Sequence, residues 1–73
     1  MRVRYDPEAD ALYIRFREGS IEETEEVSSG VLLDLDPDGN PMGLEILDAS
    51  KKLGKMPLTV ELEMPGIGKR QAL

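Results

Sequence analysis

The amino-acid sequence predicts a small α+β domain, mainly antiparallel β: a curved meander of about five strands with one short helix and a C-terminal edge or swapped strand. Two observations predict this class. Apolar and polar residues alternate with period two in several short runs, and segments rich in Pro, Gly, Asp and Asn separate those runs. The 73 residues suffice for a single domain. We assign it to residues 1–64 and expect a mobile tail over residues 65–73.

The N-terminal part is predicted to form a β-hairpin. Arg2–Tyr5 alternates arginines with apolar residues, and Ala11–Arg17 places Leu12, Ile14 and Phe16 on one face. The residues between these runs include a proline and two aspartates, which favour a turn.

An acidic segment follows, and its second half is predicted to be a short strand. Ile21–Val27 has too few apolar positions to anchor a helix. Because cross-strand charges usually pair by sign, we expect Arg4 and Arg15 on the solvent face beside Glu23 or Glu25. This pairing would account for the segregation of charge along the chain without any ligand.

A second hairpin is the clearest element. Val31–Leu35 and Met42–Leu47 both alternate, and Asp36–Pro41 joins them with residues that favour a turn. A helix of one or two turns is expected next, over residues 48–53, with Asp48 as its N-cap and Gly54 at its end.

The run Leu58–Met64 alternates again between two prolines and is predicted to be an edge strand. The short helix cannot cover a five-stranded sheet, so the apolar face predicts a second layer from another copy of the chain, that is, a homodimer. The residues expected on that face are Leu12, Ile14, Phe16, Val31, Leu33, Leu35, Met42, Leu44 and Ile46.

Composition excludes several function classes. The chain has no His and no Cys, which excludes disulfides, thiolate chemistry, the usual zinc sites and His-dependent catalytic triads. We therefore expect no enzyme activity, no catalytic residue and no cofactor. The net charge of −6 argues against nucleic acid or an anionic membrane as a partner. No apolar run follows the first residues, so we expect a cytoplasmic protein without a signal peptide or membrane span.

One motif suggests a metal site. Asp34, Asp36, Asp38 and Glu45, with a glycine at the required place, match the calcium-loop pattern D-x-[DN]-x-[DN]-G-x5-E. Such loops lie between helices, whereas β runs flank this one, and Pro41 lacks the N–H that its loop position normally uses. We favour turn formation, and keep divalent-metal or small-ligand binding by this acidic turn as the alternative.

Two charged groups of residues are weaker candidates. The adjacent carboxylates could bind a metal or act as acid and base, and the N-terminal arginines could bind a phosphate. A solvated strand face is the favoured interpretation of both. The carboxylates are Glu22, Glu23, Glu25 and Glu26, and the arginines are Arg2, Arg4, Arg15 and Arg17.

The run Tyr5–Ile14, with sequence YDPEADALYI, resembles the opening signature of a family of small prokaryotic proteins, domain of unknown function 2283. Glu25, the Gly30-Val31 step, Asp34, Asp38-Gly39 and Gly43–Ser50 match the rest of the family pattern in order, so the resemblance covers about residues 1–50. It implies a compact β-rich domain, and it assigns no reaction and no catalytic residue. Some members resemble the antitoxin half of two-gene toxin–antitoxin modules.

Together these observations predict a small acidic protein–protein interaction module without catalytic activity, and the family resemblance implies an antitoxin-like role as its sharpest form. Its expected partners are a second copy of itself and a basic protein such as a toxin.

Overall fold

A computed structural model describes residues 1–66 as a five-stranded antiparallel sheet followed by a short helix. This confirms the predicted fold class. The helix α1 covers only Ala49–Leu53, and no helix within residues 1–66 is long and apolar enough to cross a membrane. The strands are β1 (Arg2–Asp6), β2 (Ala11–Arg15), β3 (Glu23–Ser28), β4 (Val31–Leu35) and β5 (Pro41–Leu47).

Both predicted hairpins form. Tyr5 lies opposite Leu12 in the first, and Leu33 lies opposite Leu44 in the second. The turn between β4 and β5 depends on Asp36, whose carboxylate accepts the backbone N–H groups of residues 38 and 40 at 2.9 and 2.8 Å. This hydrogen bonding explains why an aspartate begins the turn.

The spatial order of the strands is β1-β2-β5-β4-β3. β5 pairs with β2 in the middle of the sheet, so β1 and β3 form its two edges. The prediction that Arg4 and Arg15 lie beside Glu23 or Glu25 is therefore wrong, because β5 and β4 separate the arginine-bearing hairpin from β3. At about 4.8 Å between neighbouring strands, the two edges lie about 19 Å apart, beyond the roughly 8 Å screening length of physiological salt.

The pairing register divides the side chains between two faces, because residues directly opposite each other project to the same side. One face, the apolar face, carries the alternating apolar residues, as the sequence predicts. The other, the polar face, carries Arg2, Arg4, Tyr13, Arg15, Leu32, Asp34, Gly43 and Glu45. Two rows cross the apolar face from β1 to β4: Val3, Ile14, Leu44 and Leu33 in one, and Tyr5, Leu12, Ile46 and Val31 in the other.

The buried core is very small. Within residues 1–66, the buried apolar side chains are Leu12, Met42 and Ala49, which are 8 %, 1 % and 0 % exposed. Met42 lies beneath the connection between β2 and β3, where a Cβ on Gly19 would stand 2.8 Å from its terminal methyl. The remainder of the apolar face on β2, β4 and the middle of β5 is half-buried.

The helix forms where it was predicted, but its capping residue differs. Asp48 occupies the N-cap position with a left-handed backbone (φ 52°), and its side chain makes no capping hydrogen bond. Asp10, in the β1–β2 turn, takes this role and accepts the backbone N–H of Ser50 at 3.1 Å and its hydroxyl at 2.7 Å. Asp48 is thus the N-cap by position, as predicted, but its side chain does not cap the helix, because N-cap side chains typically reach the first turn from an extended backbone and that of Asp48 is left-handed.

The additional strand predicted over Leu58–Met64 does not form in the single chain. Residues 58–64 have no strand assignment, and Val60 and Leu62 are 65 % and 47 % exposed. An alternating sequence determines which side chains share a face, but a strand also needs a neighbouring strand to bond its backbone N–H and C=O groups. Residues 58–64 have no such partner strand within residues 1–66. Most of the tail predicted over 65–73 lies outside the described residues, which end at residue 66.

Candidate functional site

The apolar face of the sheet is the candidate contact surface that the described residues present. Its centre is Leu44 on β5, which lies between Ile14 of β2 and Leu33 of β4. All three side chains are half-buried rather than buried. In a soluble sheet, a face of branched apolar residues is normally covered by a second layer. Here the β2–β3 connection covers Met42 at one end and leaves the centre partly exposed.

Carboxylates border this face on the β3 side. Glu23 and Glu25 lie opposite Leu35 and Leu33, so their side chains project on the apolar side of the sheet. Glu26 projects on the polar face, and its carboxylate accepts the N–H of the residue 30 backbone at 3.1 Å. The acidic run is therefore divided between two faces, with Glu23 and Glu25 together on the apolar side and Glu26 on the other. Charges that point inward on an edge strand discourage uncontrolled strand addition.

A hydrogen-bonded network crosses the polar face. The Tyr13 hydroxyl donates to one carboxylate oxygen of Asp34 at 2.6 Å, and the Thr24 hydroxyl donates to the other at 2.6 Å. The bond to this carboxylate, with burial as a smaller cause, raises the pKa of the Tyr13 phenol above its usual 10.0. A phenol held neutral in this way acts as a hydrogen-bond donor, not as a base. The network ties β2 to β4 and β4 to β3.

Gly43 makes this network possible. It lies on β5 between Arg15 of β2 and Asp34 of β4, and it leaves a gap across which the Tyr13 side chain reaches. A Cβ at this position would stand 2.8 Å from the Tyr13 ring carbon that bears the hydroxyl, and would collide with the hydroxyl itself. Sequence reasoning missed the pairing because it depends on β2 lying next to β5.

The residues of the calcium-type motif have separate roles in the structure. Asp34 belongs to the Tyr13 network, and Asp36 accepts backbone hydrogen bonds within its own turn. The N–H of Asn40, first among several donors, lowers the pKa of Asp36. Glu45 lies on the polar face opposite Tyr13, and Asp38 is exposed at the turn. Within residues 1–66, no three acidic side chains are grouped as they would be to hold a metal ion.

Three of the N-terminal arginines line an open depression of about 490 Å³, together with Met1 and Glu18. Arg15 donates to the backbone carbonyls of residues 17 and 19, both at 3.0 Å. Arg17 pairs with Asp36, and Arg2 lies 3.4 Å from Glu18. These contacts attach the β2–β3 connection to the sheet. The fourth arginine of the predicted patch, at position 4, does not line the depression.

The residues of the opening signature have structural roles. The Asp6 carboxylate accepts the N–H of Glu8 at 3.0 Å and so closes the β1–β2 turn. The Tyr5 hydroxyl donates to Asp10 at 2.7 Å, and Asp10 holds the first turn of the helix through Ser50. Hydrogen bonds from Ser50 and, to a smaller extent, from Tyr5 lower the pKa of Asp10. The Tyr5–Asp10 bond also raises the pKa of the Tyr5 phenol. The signature therefore specifies how turn, strand and helix are joined.

Comparison with known proteins identifies a family for the chain. Neither the curated proteins nor the solved structures include a significant match. A family model described as "Protein of unknown function (DUF2283)" matches residues 2–50, which is more than half of the 73-residue chain. The match begins with β1, includes all five strands and ends at Ser50, the residue that binds Asp10. The chain therefore belongs to the DUF2283 family.

Proposed function

We propose that this protein is a non-catalytic, cytoplasmic protein–protein interaction module whose contact surface is the apolar face of its sheet, and that a second copy of the chain covers this face. The observation that carries the proposal is that the apolar face is large and the buried core is small. Two rows of apolar side chains cross four strands, whereas only Leu12, Met42 and Ala49 are buried apolar residues within residues 1–66.

The size of the face suits a dimer. Five strands at about 4.8 Å spacing, each about 20 Å long, give a footprint of roughly 500 Å². Two such faces in contact bury about 1,000 Å² in projection, the area at which specific interfaces begin. Contact through half-buried aliphatic side chains is typical of homodimer interfaces, which are more apolar than transient ones.

The acidic margin supports a sharper form of the proposal. Glu23 and Glu25 border the apolar face, so a partner that extends beyond its centre meets negative charge. Electrostatic complementarity then favours a basic protein. An antitoxin-like role, in which the dimer binds a basic toxin, is the form that this margin and the family resemblance suggest.

The test uses two neighbouring leucines of β4 that point to opposite faces. Leu33 lies on the apolar face opposite Leu44, and Leu32 lies on the polar face opposite Glu45; both are half-buried. Light scattering should give the wild-type chain twice its 8.1 kDa mass at micromolar concentration. Leu33→Lys should return the mass to that of one chain, and the matched control Leu32→Lys should leave the dimer intact. A wild-type mass near that of a single chain, with a melting temperature independent of concentration, would overturn the proposal.

A further inference from the structure

The run Leu58–Met64 has the sequence pattern of a strand but no partner strand. It alternates four apolar residues with Thr59, Glu61 and Glu63, and its seven residues contain no proline, so every one has an N–H to donate. In the single chain it forms no ladder; Val60 and Leu62 are exposed, and Leu58 and Met64 are half-buried. A strand with this pattern becomes stable only when it pairs with a neighbouring strand.

The sheet offers two open edges to such a strand. β1 pairs only with β2, and β3 pairs only with β4, so each has one unpaired side within the described residues. The two edges differ in charge. β1 presents Arg2 and Arg4 on the polar face and Val3 and Tyr5 on the apolar face. β3 presents glutamates on both faces.

Side-chain parity and charge together select β1. Because opposite residues share a face, pairing that aligns the apolar side of the run with Val3 places Glu61 and Glu63 beside Arg2 and Arg4. The same pairing at the β3 edge would place these glutamates beside Glu26 and the apolar residues beside two further carboxylates. Like charges directly opposite each other destabilise a strand pair.

We propose that residues 58–64 of each chain add as a sixth strand to the β1 edge of a second copy, so that the dimer is held by reciprocal strand exchange. This proposal rests on the proposed function, because it names how the two copies are joined. The second copy is the acceptor because the chain by itself leaves both the run and the β1 edge unpaired. The exchange is reciprocal and closed, which limits assembly to two chains.

Charge exchange between two variants tests the pairing. One variant carries Arg2→Glu and Arg4→Glu, and the other carries Glu61→Lys and Glu63→Lys. In the homodimer of either variant, like charges lie opposite each other across the proposed strand pair. The dissociation constant of each homodimer should therefore be about tenfold higher than that of the wild type. When the two variants are mixed, both interfaces of the heterodimer are complementary. Native mass spectrometry should then show roughly nine-tenths heterodimer instead of the statistical half.

A control removes the effect of overall charge. A chain with Lys51→Glu and Lys55→Glu has the same net charge as the β1 variant, but both changes lie outside β1. Mixed with the Glu61→Lys, Glu63→Lys chain, it should form no excess of heterodimer. An equal excess in both mixtures, or a statistical half in the first, would overturn the strand exchange.

Disulfide capture gives a second measurement on the full chain, which has no native cysteine. A chain with Val3→Cys should cross-link to a differently tagged chain with Val60→Cys or Leu62→Cys. A chain with Val27→Cys, on the β3 edge, should not. Cross-linking only between cysteines placed within one chain would overturn the exchange. If the wild-type chain is a dimer but shows neither the heterodimer excess nor the cross-link, the strand exchange is refuted and the proposed function is not. If the wild-type chain is a monomer, both proposals are refuted.

Discussion

The Tyr13→Phe substitution removes one hydroxyl from the polar network and leaves the aromatic ring over Gly43. A hydrogen bond to a charged acceptor contributes about 1.5–3 kcal/mol. Tyr13 and Asp34 are half-buried, so water replaces part of the lost donor, and we expect the free energy of unfolding to fall by about 1–1.5 kcal/mol. For a domain of this size, that corresponds to a melting temperature lower by roughly 4–12 °C. Thermal and urea denaturation at one fixed protein concentration measure both quantities.

A double-mutant cycle identifies the bond itself. In a chain with Asp34→Ala, the hydroxyl has lost its acceptor, so Tyr13→Phe should cost less than about 0.3 kcal/mol. Thr24→Val is the matched control, because it removes the other hydroxyl donor to the same carboxylate from an exposed edge strand and should cost less. Equal losses from Tyr13→Phe in both backgrounds would refute the network as a source of stability.

The same bond predicts a dependence on alkaline pH. The pKa of Tyr13 is higher in the folded chain than its ordinary 10.0, so its contribution to stability is complete below pH 10 and is lost as the pH rises through the folded value. Tyr13→Phe should therefore flatten the alkaline side of the stability profile. A profile unchanged by the substitution would contradict this assignment.

Asp10→Asn should lower the melting temperature at neutral pH more than Asp48→Asn does, because the Asp10 carboxylate binds the first turn of the helix and the Asp48 side chain makes no capping hydrogen bond. The pKa of Asp10 is lower in the folded chain than its ordinary 3.8, so its contribution to stability is present above pH 3.8 and is lost as the pH falls through the folded pKa. The stability of the Asp10→Asn chain should therefore fall less on acidification than that of the wild type. An equal fall in both chains would contradict the capping role. Gly43→Ala should destabilise the chain at least as much as Tyr13→Phe, since the added methyl displaces the Tyr13 side chain, and a neutral result in denaturant unfolding would refute the close approach. Titration calorimetry with millimolar calcium should show no saturable heat, and a dissociation constant below about 10 µM would show that the turn from Asp34 to Glu45 binds the ion.

Sequence reasoning located every strand of the sheet and the helix because each depends on local pattern. Period-two alternation and turn residues determine secondary structure over about ten consecutive residues. The bounds predicted for the second hairpin accordingly differ from the structure by one residue, because β5 begins at Pro41. The additional strand at 58–64 shows the limit of this reasoning, because a ladder requires a neighbour that the alternation of one segment cannot identify.

The candidate sites depend on strand order, which local pattern does not determine. Glu25 and Arg15 appear complementary when strands are assumed to pair in chain order, but β5 inserts beside β2 and separates them. The same insertion brings Tyr13 within reach of Asp34, a pairing that no spacing in the sequence indicates. The apolar face was predictable because its residues alternate consistently whatever the order of the strands.

The pairing of β2 with β5 also determines how the chain folds. The β1–β2 hairpin and the β3-β4-β5 unit each join neighbours in sequence, so both close short loops. We therefore expect each to form faster than the contact between them, since hairpins generally form in microseconds. Their docking joins residues far apart, such as Ala11 and Leu47, and bears most of the loop-closure entropy. The Tyr13–Asp34 hydrogen bond forms between these two units, and the Asp10–Ser50 bond joins the first unit to the helix that follows β5. From this topology we expect the docking of the two units along the β2–β5 boundary to be the slow step of folding.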